Sequence, residues 1–86
     1  MEEDLAIAWT VWNPLKPCEL FYVAQVPGQG GKDWGYETDV TKAILLTPYW
    51  QRRFRKDCER TNKEAYFMPA DEARRRMIVT ATLMRD

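Results

Sequence analysis

Large apolar side chains alternate with smaller or polar ones along the first part of the chain. The large set takes every second position: Leu5, Ile7, Trp9 and Val11. The intervening side is formed by Ala6, Ala8, Thr10 and Trp12. A period of two that includes Trp, Ile and Val is typical of a strand with one buried face. We therefore predict a half-buried strand over residues 5–12, ended by Asn13 and Pro14.

Three further short segments have the composition of strands. Residues 19–26 (ELFYVAQV) are apolar on both faces, which favours a central strand paired antiparallel with the first. Residues 33–38 (DWGYET) predict a shorter strand with Trp34 and Tyr36 on one face. Residues 64–69 (EAYFMP) predict another short strand after the middle of the chain.

The strongest helix signal is the pair Thr47-Pro48. Threonine is a good N-cap because its hydroxyl can satisfy a free amide, and proline suits the first helical position. After this pair, large or apolar side chains recur every four residues, at Trp50, Phe54 and Cys58. This spacing predicts a helix over residues 48–61 with one buried stripe, and Asn62 is a suitable stop.

The segments around this helix give weaker signals. Asp39 is placed to introduce a helical turn over residues 40–43, which precedes the apolar run 44–46. Residues 71–76 (DEARRR) begin with an Asp cap and predict a turn or short helix. Residues 77–83 (MIVTATL) alternate and are rich in β-branched side chains, which favours a final strand.

These elements together predict a single α+β domain spanning residues 1–86. It consists of a mainly antiparallel sheet of four to five strands, with one principal helix (about 48–61) packed on one face. A chain of 86 residues can bury one core, and its 13% aromatic content supplies the large side chains to fill that core.

The formal net charge is zero, but the charges are unevenly distributed. Residues 1–47 carry seven acids and three bases, whereas residues 48–63 carry two acids and six bases. The candidate partner-binding residues are these six bases and two aromatic side chains: Arg52, Arg53, Arg55, Lys56, Arg60, Lys63, Trp34 and Tyr49. Three interpretations of the basic helix stay open. It can bind a protein partner, it can bind nucleic acid phosphates, or it can be a solvated face with pairs such as Arg55–Glu59. The alternative for Trp34 and Tyr49 is that their rings are buried in the core.

The chain lacks the side chains that most often act in catalysis. It contains no His and no Ser, which excludes Ser-His triads, Cys-His dyads and His-ligated metals. The spacing of Cys58 from Trp50 and Phe54 places its thiol in the core. The glycine-rich residues 27–32 lack the spacing of a phosphate-binding loop and predict a hairpin connection. We therefore expect no enzymatic activity, no cofactor and no metal.

The sequence also favours a cytoplasmic location. The first residues, Met1 to Asp4, are acidic where a secretory leader would be basic. No apolar run approaches the ~20 residues that cross a membrane. We expect Cys18 and Cys58 to be reduced thiols.

The run WGYETDVTKAILLTPYWQRRF, residues 34–54, resembles the middle of many small phage-encoded accessory proteins. That group includes anti-CRISPR proteins and other inhibitors of host defence. The resemblance implies a stoichiometric inhibitor in the cytoplasm of the host cell, which occupies the surface of a host protein or ribonucleoprotein complex. It carries over no functional residue. The alternative is a nucleic-acid-binding accessory protein that uses the basic helix 48–63.

Overall fold

Six strands and two α-helices make up the described part of the computed structural model, which covers residues 4–11, 15, 19–28, 32–76 and 82–83. In chain order they are β1 (Ala6–Val11), β2 (Leu20–Gln25), β3 (Gly35–Glu37), β4 (Ile44–Leu45), α1 (Pro48–Arg60), β5 (Ala65–Pro69), α2 (Ala70–Arg75) and β6 (Thr82–Leu83). A 3-10 helix, Val40–Lys42, lies between β3 and β4. The predicted α+β class is confirmed.

Four of these strands form an antiparallel sheet in the order β3-β2-β1-β5. Strand β1 lies between two neighbours, so that Trp9 is opposite Tyr22 of β2 and Tyr66 of β5. The short strands β4 and β6 pair in parallel. The predicted antiparallel pairing of the first two strands and the predicted position of the second strand inside the sheet are both confirmed.

The prediction of a half-buried first strand is wrong, because β1 is covered on both faces. Ile7 and Ala8 point to opposite sides of the sheet, and each is 0% exposed. Ala8 packs in a core cluster with Phe54 of α1, while Ile7 packs with Ala70 of α2. The small side chains that suggested a solvent face instead leave room for a helix to approach the sheet closely.

Helix α1 is the principal helix that the sequence predicted, and it packs on one face of the sheet. Phe54 and Cys58 are buried and Trp50 is half-buried, which confirms the predicted stripe. The expected side-chain cap is not formed: Thr47 is the N-cap residue, but its hydroxyl makes no capping bond. Instead, Gln51 Nε2 holds the start of the helix by donating to the carbonyls of Leu46 at 2.9 Å and Asp4 at 2.7 Å.

Helix α1 ends in a Schellman motif. Asn62 has a left-handed φ of 59°, and its amide donates to the carbonyl of Glu59 at 3.1 Å. The amide of Lys63 donates to the carbonyl of Cys58 at 2.7 Å. These two bonds satisfy carbonyls that the end of a helix leaves without intrahelical partners. The predicted stop at Asn62 is confirmed, and the reversal turns the chain back along the last turn of α1.

Helix α2 and the 3-10 helix belong to the opposite face of the sheet, where Ala70 and Ala73 of α2 are buried. The Asp39 carboxylate caps the 3-10 helix by accepting from the amide of Thr41 at 3.0 Å, as predicted. The predicted short helix is present as α2, but the predicted cap is wrong: Pro69 is the N-cap, and Asp71 lies in the first turn. The predicted final strand appears as Thr82–Leu83, and residues 77–81 lie outside the described residues.

Candidate functional site

The outer side of α1 is an exposed surface of positive charge. Arg52, Arg53, Arg55 and Lys56 are all exposed there, and we call these four residues the cationic face. Among the described residues, Arg52 and Lys56 form no ion pair with a carboxylate. The Arg55–Glu59 ion pair, expected if the helix face is simply exposed to solvent, is likewise absent from the described contacts. The charge of this surface is therefore left for solvent or a partner.

Two arginines of the cationic face are held in place by aromatic rings. The guanidinium carbon of Arg53 is 6.0 Å from the centre of the Trp50 ring, and its Nη1 donates to the hydroxyl of Tyr49 at 3.4 Å. On the other flank of α1, the guanidinium carbon of Arg55 is 5.0 Å from the centre of the Phe67 ring. Cation–π contacts of this kind restrict where the charged groups can move.

The structure places the remaining predicted bases on a different surface. Arg60 and Lys63 line a cleft of about 270 Å³, together with Trp34 and Tyr36. We call this space the Trp34 cleft. It lies between the C-terminal half of α1 and the segment that enters β3, and Arg53 lines it as well. The eight predicted partner-binding residues thus lie on two surfaces, the cationic face with Tyr49 at its edge and the Trp34 cleft, and Arg53 belongs to both.

Asp57 organises this cleft. Its Oδ2 accepts a hydrogen bond from Trp34 Nε1 at 2.8 Å, and its Oδ1 pairs with Arg60 Nη2 at 3.1 Å. Trp34 is half-buried, because its ring packs edge-on against Phe54 and Trp50 at centroid distances of 5.1 and 5.7 Å. Trp34 is therefore part of a cleft wall, whereas Tyr49 is 51% exposed.

Positive charge dominates the cleft lining. Four bases, Lys32, Arg53, Arg60 and Lys63, surround two carboxylates, Asp33 and Asp57. Burial, with a smaller effect from the nearby acidic groups, raises the pKa of Tyr36 well above its ordinary value of 10.0. The phenol of Tyr36 therefore stays protonated at pH values at which an exposed tyrosine would ionise.

Cys58 is buried, as its spacing predicted. Burial raises the pKa of its thiol, against the opposing effects of a hydrogen bond with Thr10 and the charge of Lys63. A buried thiol with a raised pKa is a weak nucleophile, because the thiolate is the reactive form. Cys18 and the glycines at positions 30 and 31 lie outside the described residues.

Sequence reasoning missed an aromatic ladder on the sheet face opposite α1. The Trp9 ring stacks on Tyr66 at 5.9 Å with planes 16° apart, and lies 5.8 Å from Tyr22. Tyr66 is 39% exposed, and its hydroxyl donates to Glu64 Oε2 at 2.7 Å. The strand register brings these three rings together. The alternation of residues 5–12 places Trp9 on the apolar side of its strand, but it does not predict which residues of other strands lie opposite Trp9.

No model of a known protein family matches the chain, and neither curated proteins nor solved structures provide a match. In the described part of the chain, no group of three Cys, Asp or Glu side chains is placed to hold a metal ion. None of the helices described there is long and apolar enough to cross a membrane.

Proposed function

We propose that this chain is a non-enzymatic binding module that docks its cationic face against an acidic surface of a protein partner. The observation that carries the proposal is the uncompensated charge of α1. The helix has five bases against two carboxylates, and one of those carboxylates, Asp57, is already paired with Arg60. Arg52 and Lys56 have no described carboxylate partner within the chain.

The surroundings of this charge favour a protein partner. Arginine and tyrosine are enriched where interfaces derive their binding energy, and exposed Tyr49 borders the cationic face. Because Arg53 and Arg55 are already positioned by Trp50 and Phe67, less side-chain freedom is lost when a partner binds. A helix of 13 residues is about 20 Å long, enough to form the centre of a standard interface of ~800 Å² per partner.

The specific form that we propose is a stoichiometric inhibitor of a host defence complex, acting in the host cytoplasm by covering a surface of that complex. The similarity of residues 34–54 to small phage proteins supports this form. Inhibition by occlusion requires no reactive side chain, which agrees with a chain that contains neither His nor Ser.

Co-purification from host lysate tests the proposal. The bait is the tagged full chain, compared with the double variant Arg52→Gln/Lys56→Gln. The matched control is Arg75→Gln/Arg76→Gln, which removes the same charge from two exposed positions at the C-terminal end of α2. After nuclease treatment, we expect a protein partner at a fixed ratio with the wild type and the control, and its loss with the first variant. Equal recovery by all three baits, or no protein recovered by any, would contradict the proposal.

Nucleic acid is the second candidate partner, favoured by the same unpaired bases. Lysine and arginine that neutralise phosphates release counterions, so the affinity falls steeply as salt rises. We expect the Arg52→Gln/Lys56→Gln variant to reduce the slope of log affinity against log salt by about 2. Absence of a mobility shift with DNA and RNA at low salt would rule out this candidate without affecting the first.

A further inference from the structure

We infer that the Trp34 cleft is a second binding site, for a small phosphate ester, and that it shares Arg53 with the cationic face. A volume of about 270 Å³ lies just below the ~300–1,000 Å³ typical of small-molecule sites, so the ligand must be small. The cleft is concave and is lined by charged groups and by two aromatic rings. That combination fits a ligand with one anionic end and one planar, apolar end.

The charge balance of the cleft favours an anion. Four bases face two carboxylates, and the inner carboxylate, Asp57, already has both oxygens engaged by Trp34 and Arg60. Asp33 is exposed to solvent, and so are three of the four bases, which leaves the lining with an excess of positive charge. A concave wall lined by an excess of one charge concentrates the field within it.

The end of α1 does not cancel this attraction. A helix C-terminus carries partial negative charge on its last carbonyls, which would repel a phosphate. Here the carbonyls of Asp57 and Cys58 accept bonds from the Thr61 hydroxyl at 3.0 and 3.2 Å. The Lys63 amide also donates to Cys58 within the Schellman motif, which brings Lys63 back to line the cleft.

The aromatic side of the cleft explains the preference for an ester over a free ion. Trp34 and Tyr36 form an apolar wall that can cover a planar group. Inorganic phosphate satisfies the charged part of the site alone, whereas an aromatic ester uses both parts.

Calorimetric titration at low ionic strength tests this site with four probes: inorganic phosphate, phenyl phosphate, adenosine monophosphate and uncharged adenosine. We expect both esters to bind more tightly than inorganic phosphate, and adenosine not to bind. Intrinsic tryptophan fluorescence should respond to the esters and lose that response in Trp34→Phe. No binding of any phosphate probe at millimolar concentration would overturn the inference, and so would equal binding of adenosine and its monophosphate.

Two cleft variants distinguish a built site from general charge attraction. Lys63→Gln should weaken ester binding by about tenfold, the usual effect of losing one bond to a charged group. Asp57→Asn should strengthen it, because the amide oxygen can still accept from Trp34 while Arg60 is released toward the ligand. A gain in affinity cannot result from a damaged fold. Weaker or unchanged binding by an Asp57→Asn variant whose circular dichroism matches the wild type would contradict the site.

The cationic-face variant separates this inference from the proposed function. Arg52→Gln/Lys56→Gln should bind the esters as the wild type does, because neither residue lines the cleft. Arg75→Gln/Arg76→Gln is the control for net charge. If both variants weaken ester binding as much as Lys63→Gln, the ligand responds only to overall charge and the cleft is not a site.

Discussion

Trp34 Nε1 donates a hydrogen bond of 2.8 Å to Oδ2 of Asp57, which joins the residue before β3 to the second half of α1. The two residues are 23 positions apart in the chain. Because the other oxygen of Asp57 pairs with Arg60, a single carboxylate connects the sheet edge to the last turn of the helix. This link stabilises the packing of α1 and shapes the Trp34 cleft.

Replacing Trp34 with Phe removes the indole donor and keeps an aromatic ring. We expect the free energy of unfolding to fall by about 1–3 kcal/mol, since a bond to a charged group is lost and part of the ring's packing with it. Urea denaturation monitored by circular dichroism measures the change. Tyr49→Phe, which removes an exposed hydroxyl beside the same helix, should change stability by less than about 0.5 kcal/mol. Equal effects of the two substitutions would show that the Trp34–Asp57 bond contributes nothing.

Phe54 is the largest fully buried side chain among the described residues, and it contacts several aromatic rings, including those of Trp34 and Phe67. We expect Phe54→Ala to lower the free energy of unfolding by about 3–5 kcal/mol, because it leaves a cavity under α1. Phe54→Leu, a milder change, keeps the measurement possible if the alanine variant unfolds. Arg52→Ala on the outer side of the helix should cost less than about 0.5 kcal/mol.

The two predicted N-caps should respond differently to alanine. Thr47→Ala should cost less than about 0.5 kcal/mol, below the usual ~1 kcal/mol for losing a threonine cap, because the Thr47 hydroxyl makes no capping bond. Asp39→Ala should be the more destabilising of the two, since the carboxylate accepts from both the amide and the hydroxyl of Thr41. The reverse order in chemical denaturation would contradict the capping geometry.

Asp39 should also contribute to the pH dependence of stability. Hydrogen bonds from Thr41 lower the pKa of its carboxyl below the ordinary value of 3.8, so folding favours the ionised form. The stabilisation is present above that ordinary pKa and is lost as the pH falls through the lower pKa of the folded state. Asp39→Asn keeps an acceptor that does not titrate. We therefore expect the stability advantage of the wild type over this variant to shrink between pH 5 and pH 2, and a constant difference would refute the assignment.

Thiol labelling tests the burial of Cys58. In a Cys18→Ala background, we expect native protein to react about two orders of magnitude or more slowly than urea-unfolded protein, because labelling requires local opening. The raised thiol pKa slows the native reaction further at neutral pH. Rapid labelling of the native chain would show an accessible thiolate and would reopen the possibility of chemistry at Cys58.

Much of the local structure could be predicted from spacing along the chain. The four-residue spacing of Trp50, Phe54 and Cys58 predicted the buried side of α1, and Asn62 predicted its end. Asp39 predicted the cap of the 3-10 helix. Each of these features depends on residues within a few positions of one another, so the sequence contains the whole signal.

The burial of β1 and the division of the candidate site depend on contacts between distant segments. The two covered faces of β1 follow from α1 and α2 packing on opposite sides of one sheet. The same arrangement assigns Arg60 and Lys63 to a cleft with Trp34 while Arg52 and Lys56 remain on the open surface. It also aligns Trp9 with Tyr66 across two strands.

The sequence alone therefore determined most of the segments that become helix or strand, apart from β4, and which helix carries the positive charge. The tertiary structure decided which side chains meet. Strand order and register bring together residues from different segments of the chain, and no local pattern of hydrophobic and polar residues specifies that pairing.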